Sequence, residues 1–374
     1  MKKSLIAASV AFILGCYGTQ DRHGGTVQTS YELVSLVKNL DSATDGVNIG
    51  LVWMTNPGDG RISQLAIFND VGDISEGPYK LLTSAEPHRF SENPRVFWEG
   101  GSYLIIWSED SPEERSLFMK RHHPGESWSM DDVQVVDVGD HFIQTSSVYL
   151  FESEIVVTWR DSRLGEESPM AYGAIFDLEG NRLSDDIFLG EGSMRSYETR
   201  AAKHGSTIAF VVAMYAADDT ARIGFRTYDT SSGELSVISF LVDSPPATPR
   251  EFWVEDSMLR LVYNSYLDEG TNEAREIRLD LEGNVLEGPG AFGNDPILAK
   301  AISVAFDQDA TVLNWVEQEN ENPGTLYLTR AEEEIYVLDL DYLAHSTTLV
   351  ATDSRLVSIW SDDQPSIQFL SIPR

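Results

Sequence analysis

The chain of 374 residues carries a single cysteine, Cys16, which excludes an internal disulfide. Basic residues are scarce: 27 Lys and Arg stand against 60 Asp and Glu, a formal net charge of −33. Phosphate recognition needs clustered Lys and Arg, so nucleic acid is excluded as a partner. Long apolar runs are missing as well. Beyond the N-terminus no stretch approaches the roughly 18 uninterrupted apolar residues of a membrane-spanning helix. Also missing are a Gly-rich phosphate loop ahead of a helix, a Gly-x-Ser-x-Gly elbow and a His-Glu-x-x-His pair.

What is present is apolar material in short pieces. Hydrophobic residues make up 42 %, enough for a sizeable core, and the 28 glycines and 15 prolines are scattered. That distribution suits many short strands joined by turns.

The first residues have the grammar of an export signal. Lys2 and Lys3 precede an apolar run from Leu5 to Leu14, then Gly15 and Cys16. The segment Ile13-Leu14-Gly15-Cys16 resembles a bacterial lipobox. The resemblance implies cleavage of 1–15 and acylation of Cys16, and so a lipid-anchored place in the cell envelope. Tyr17 is not the aspartate that retains enterobacterial lipoproteins at the inner membrane, which points to the outer membrane, facing the periplasm or the surface. Residues 16–29 are then expected to be acylated cysteine and flexible tether, and 30–374 the folded domain. Loss of Lys2 and Lys3, with no acid, takes the net charge from −33 to −35.

One pattern recurs along the remainder. Short aliphatic runs end in tryptophan and lead into an acidic loop: Leu51-Val52-Trp53, Ile105-Ile106-Trp107, Val157-Thr158-Trp159, Leu313-Asn314-Trp315 and Ser358-Ile359-Trp360. The steps are 54, 52, 156 and 45 residues, and the long step holds two degenerate units, Phe210-Val211-Val212 and Leu261-Val262-Tyr263. A turn landmark runs in phase: Asn69-Asp70-Val71-Gly72-Asp73, Asp177-Leu178-Glu179-Gly180-Asn181 and Asp280-Leu281-Glu282-Gly283-Asn284.

Each unit of about fifty residues reads as four antiparallel strands. The expectation is therefore an all-β, seven-bladed β-propeller, with a β-sandwich array or a solenoid as the alternative. The last unit is one strand short, and Val27 to Val37 supplies strand material to complete it and close the ring. The tandem units resemble repeat propellers in exported proteins of environmental bacteria, a resemblance that specifies fold and not activity. The sialidase Asp-box and the regular Gly-His and Trp-Asp pairing of WD repeats are absent.

In such a blade the loops after the Trp strands share a face with the loops between blades. The first set is acidic in every unit. Asp110, Asp161, Asp218, Asp268 and Asp362 form a candidate calcium crown, although no loop has EF-hand spacing. Solvation of the loops, or attraction of a basic partner, accounts for the same residues. The second set is cationic. His88, Arg89, His141, Arg195, Arg250, Lys300 and His345 fall just before first strands, where they would converge at the channel mouth as a pocket for an anionic or sugar-like ligand. Three histidines there are a zinc or iron candidate, one fewer than the four that hold iron in propeller oxygenases. Arg160, Asp161, Arg163 and Glu166 form a further polar cluster. The leading expectation is a protein- or glycan-binding module without assigned catalysis. The alternative is a carbohydrate-active enzyme with its site at the channel mouth.

Overall fold

The β-branched runs form strands, and the strands gather into seven antiparallel sheets. The computed structural model describes residues 17–20, 26–33, 35–56, 60–84, 89–111, 115–165, 169–192, 194–216, 220–243, 247–268, 271–292, 299–307, 310–318, 324–330, 333–341, 344–362 and 365–374. Among the described residues there is no helix. Six sheets take four consecutive strands each: 37–81, 90–136, 142–188, 195–243, 247–291 and 299–339 are blades 1 to 6. The first strand of each blade lies against the first strands of its neighbours, which sets these strands around a central channel.

Blade 7 combines Ala344–Ala351, Arg355–Asp362 and Ser366–Pro373 with the N-terminal Val27–Glu32. Val27 pairs with Ser371 and Tyr31 with Ile367, so the two ends of the described chain share one sheet. Tyr31 is buried edge-on against Phe68 of blade 1, with ring centroids 5.4 Å apart, and Thr29 donates to the carbonyl of Val71 at 2.7 Å. Closing the ring in this way removes an exposed sheet edge between the first and last blades. Residues 27–29, expected in the tether, thus belong to the sheet of blade 7. Tyr17–Gln20, expected within the tether, pairs with Val27–Ser30 as a fifth strand. Residues 1–16, with Cys16, lie outside the described residues.

The turn landmarks are Asx turns. One carboxylate oxygen of Asp177 accepts the N–H groups of Glu179 and Asn181 at 3.0 and 2.7 Å, and Asp280 repeats this with Glu282 and Asn284. The geometry needs glycine at the fourth position. Gly283 has φ +87°, and a Cβ there would sit 2.3 Å from Phe225 of the preceding blade.

The core lies between blades. Ile106 and Met119 of blade 2 pack with Ile155, Trp159 and Phe176 of blade 3. Trp53, Trp107, Trp159, Trp315 and Trp360 are all buried, and Val212 and Tyr263 fill the same place in blades 4 and 5. Several indole N–H groups are satisfied two residues on: Trp107 by Glu109 at 2.9 Å, Trp159 by Asp161 at 3.3 Å and Trp315 by Glu317 at 3.1 Å. A buried N–H without an acceptor costs roughly 1–3 kcal/mol, so these acids hold the packing together.

Candidate functional site

Each first strand begins with a register shift against its neighbour, a β-bulge in all seven blades. Bulges re-aim side chains. Here Asn39, Asn93, Ser146, Tyr197, Arg250 and His345, all bulge residues, line a cavity of about 730 Å³ at the channel mouth. Asn39 and Asn93 adopt positive φ (53° and 49°), tolerable for asparagine, and Asn39 donates to Asn93 at 3.0 Å across the blade boundary.

Past the bulge, each first strand carries an equivalent residue, paired with the residue just before the Trp position. These residues are Asp41, Arg95, Ser147, Arg200, Glu251, Ser303 and Thr348, opposite Val52, Ile106, Thr158, Val211, Val262, Asn314 and Ile359. Four of the seven are charged. Arg95, Ser147, Arg200 and Glu251 line the cavity, and Asp41 stands 3.7 Å from Arg95 and accepts the N–H of Val96 at 2.9 Å. The remaining positions carry hydroxyls that link blades. Thr158 bonds both Ser147 and Thr199, Asn314 donates to Ser358 at 2.7 Å, and Ser42 meets Thr348 at 2.7 Å.

The charges are mutually tuned. Burial pushes the Glu251 carboxyl up to about 7, against the pull of Arg200 and Arg95, with Asp41 adding to the rise. Burial also raises Asp41, opposed by Arg95. Tyr149 is raised by burial, with Arg200 and Glu251 among its charged neighbours. Burial opposes the charge of Arg200, but Tyr149, Glu198 and Glu251 outweigh it and raise its pKa. A carboxyl that titrates near neutrality inside an arginine-lined cavity is a candidate functional group.

The expected cationic residues divide. Arg250 and His345 line the cavity, and His345 is exposed there. Arg250 faces Asn264, whose amide oxygen accepts from its Nε and terminal nitrogen at 3.2 Å each. Arg89 instead pairs with the buried Glu109 at 2.9 Å, and His141 is exposed before blade 3 with its carbonyl accepting from Ser162. Arg195 opens the first strand of blade 4 without lining the cavity. His88 lies outside the described residues, as does the side chain of Lys300. The described histidines gather with no metal-ligating cluster.

Among the described residues the acidic crown does not converge either, because Asp110, Asp161 and Asp362 are committed locally. Asp161 is fully buried and accepts from Trp159 and from the backbone and guanidinium of Arg163. Asp362 is buried and accepts from Ser366 and Gln368 at 2.9 and 3.1 Å. Asp110 pairs with Arg115 at 3.0 Å. Asp218 and the side chain of Asp268 lie outside the described residues, as does Glu166. Among the described residues no group of three or more His, Cys, Asp or Glu is placed to hold a metal ion.

Arg160 and Arg163 also part company, since neighbouring strand residues face opposite sides. Asp161 and Arg163 pack with Asp186 and the face of Tyr172 inside blade 3, while Arg160 faces the channel. Sequence reading named Arg160 but missed Arg95, Tyr197, Arg200 and Glu251. The available signal was the repeat itself: Asp41, Arg95, Ser147, Ser303 and Thr348 each stand twelve residues before a tryptophan.

No family model matches the chain, and no curated protein matches its sequence. Solved structures do. A polysaccharide lyase of the ulvan lyase family PL25 superposes with TM-score 0.64 at 11 % identity, over 91 % of this chain and 94 % of that one. The β-propeller domain of the Trilobed protease from Pyrococcus furiosus gives 0.55 at 9 % identity, over 90 % of this chain and 95 % of that one. That domain is described as having an open velcro topology; here Val27–Glu32 joins the last blade. The Hadza microbial sialidase Hz136 gives 0.50 at 11 % identity, over 90 % of this chain and 66 % of that one. At these identities the likeness establishes the fold, a seven-bladed β-propeller, and leaves function to the site.

Proposed function

We propose that this chain is an exported propeller, held at a membrane through acylated Cys16, whose channel-mouth pocket binds a glycan. The observation that carries the reading is the cavity of about 730 Å³ lined by bulge residues, with arginine, tyrosine, amide and hydroxyl groups and a predominantly polar surface. Such a lining offers the hydrogen bonds and stacking faces that sugars need, and its volume suits a short oligosaccharide. The likeness to a propeller polysaccharide lyase and to a propeller sialidase supports the same reading.

The test is a glycan array probed with residues 17–374 and with His345→Trp. His345 is exposed at the cavity edge, so an indole there obstructs the pocket without disturbing the core. Binding by the native chain and its loss in the variant are expected. Equal binding by both would move the site elsewhere, and no binding to any glycan would remove the reading.

A carbohydrate-active enzyme is the second reading, favoured by Glu251 titrating at about 7 beside the raised carboxyl of Asp41. New chain ends released from a polysaccharide by the native chain, and not by Glu251→Gln, would establish it.

A further inference from the structure

We propose that Arg160, stacked on Tyr197 where blades 3 and 4 meet, anchors the acidic group of a carboxylated or sulfated glycan and so selects acidic over neutral sugars. The proposal rests on the glycan reading of the pocket and narrows it to one ligand class.

In a chain with more than twice as many acids as bases, arginines find carboxylates readily. Arg121 meets Glu99 at 3.2 Å, Arg163 meets Asp161 at 2.7 Å, and Arg275 meets Glu273 at 2.6 Å. Inside the pocket the other arginines are also spoken for. Arg95 faces Asp41. Arg200 donates to the carbonyls of Arg250 and Thr199 at 2.6 and 2.9 Å and lies 3.7 Å from Glu198. Arg250 faces the Asn264 oxygen.

Arg160 differs. Among the described residues it donates no side-chain hydrogen bond and meets no carboxylate, and its Nε is buried without a partner. Its guanidinium sits 4.8 Å from the centroid of the Tyr197 ring. Burial lowers its pKa, the direction expected of a cation that lacks an anion.

The surroundings are built to keep it there. Tyr197 packs edge-on against Tyr215 at 5.0 Å. Its bulge is tied to blade 3 by Ser146, which donates to the Tyr197 carbonyl at 3.3 Å and accepts the N–H of Thr199 at 2.9 Å. Gln144 stands opposite Arg160 in the strand register. A stacked, planar guanidinium without an acceptor of its own presents parallel donors to an oxyanion. A half-buried cation left unmatched is unfavourable, and an acidic ligand would satisfy it.

Calorimetric titration of residues 17–374 tests this with trimers of galacturonic acid, mannuronic acid and sulfated galactose, beside neutral trimers of galactose and mannose. At least one acidic trimer is expected to bind about tenfold more tightly than its neutral counterpart. Preference for the uronates or for the sulfate tells the two acidic groups apart. Arg160→Gln is expected to erase the preference, and Arg160→Lys to retain only part of it. Should Arg160→Gln lose the native fold, Tyr197→Leu, which removes the stacking face, reads the same preference. Equal binding of acidic and neutral trimers, or a preference that survives the substitution, overturns the anchor and leaves the glycan pocket standing. No binding to any trimer overturns both.

Discussion

Two rings of equivalent residues, twelve positions apart in every repeat, carry opposite content. The outer ring is Trp53, Trp107, Trp159, Val212, Tyr263, Trp315 and Trp360, all buried and apolar. The inner ring is Asp41, Arg95, Ser147, Arg200, Glu251, Ser303 and Thr348, polar throughout and of mixed charge. Every blade must solve one packing problem, filling the wedge against its neighbour, so one large side chain recurs. No such shared requirement acts at the channel mouth, where Arg95, Ser147, Arg200 and Glu251 give one cavity an asymmetric lining. In this molecule uniformity along the repeat marks architecture, and variety marks chemistry.

The comparison is broken or sharpened most strongly at the outer ring. Trp159→Ala is expected to cost about 3–5 kcal/mol in chemical denaturation, because a buried indole leaves a cavity between blades 2 and 3. A cost under about 1 kcal/mol would remove the architectural reading of that ring.

At the inner ring the expected effect depends on pH. The folded pocket holds a proton on Glu251 up to about pH 7, whereas the unfolded chain releases it near 4.5. This contribution is fully present below pH 4.5 and is lost as pH rises through about 7. Its size is up to about 3 kcal/mol. Glu251→Gln is expected to remove it, so the stability difference between native chain and variant should shift in the variant's favour from pH 4 to pH 8. A difference that stays flat would show that Glu251 is not desolvated.

Smaller effects separate the inner ring from the acidic loops. Asp161→Asn is expected to cost about 1–3 kcal/mol, since Arg163 loses its charged acceptor. Millimolar calcium should leave the melting midpoint of native chain and variant alike unmoved. A calcium-dependent rise of several degrees would return the acidic loops to candidacy as a metal site. Smallest of all, Arg115→Ala is expected to cost under about 1 kcal/mol, because the Asp110 pair is exposed.

Much of the architecture was legible in the sequence. The Trp strands, the Asx turns and the closing strand each have a local chemical cause: a large apolar side chain, a carboxylate bonding its own backbone, an unpaired strand at the chain's start. The site was less legible. Residues next to first strands were the natural candidates, yet among the described residues only Arg250 and His345 of these reach the cavity. The bulges explain the difference, because one or two extra residues at the start of each first strand turn the later side chains inward, and bulges leave no compositional mark. The acidic loops misled for another reason. Asp161 and Glu109 look like surface carboxylates in sequence, but strand pairing carries them under the rim as acceptors for Trp159 and Trp107.

The central claim, that the variable inner ring is the functional surface, is tested most directly by hydrogen exchange with and without a bound glycan. The account predicts slowed exchange of amides at the bulges, around residues 93–96, 144–147, 197–200 and 250–251, with the acidic loops unchanged. Protection confined to the loops or to the opposite face, around residues 120–134, would contradict it.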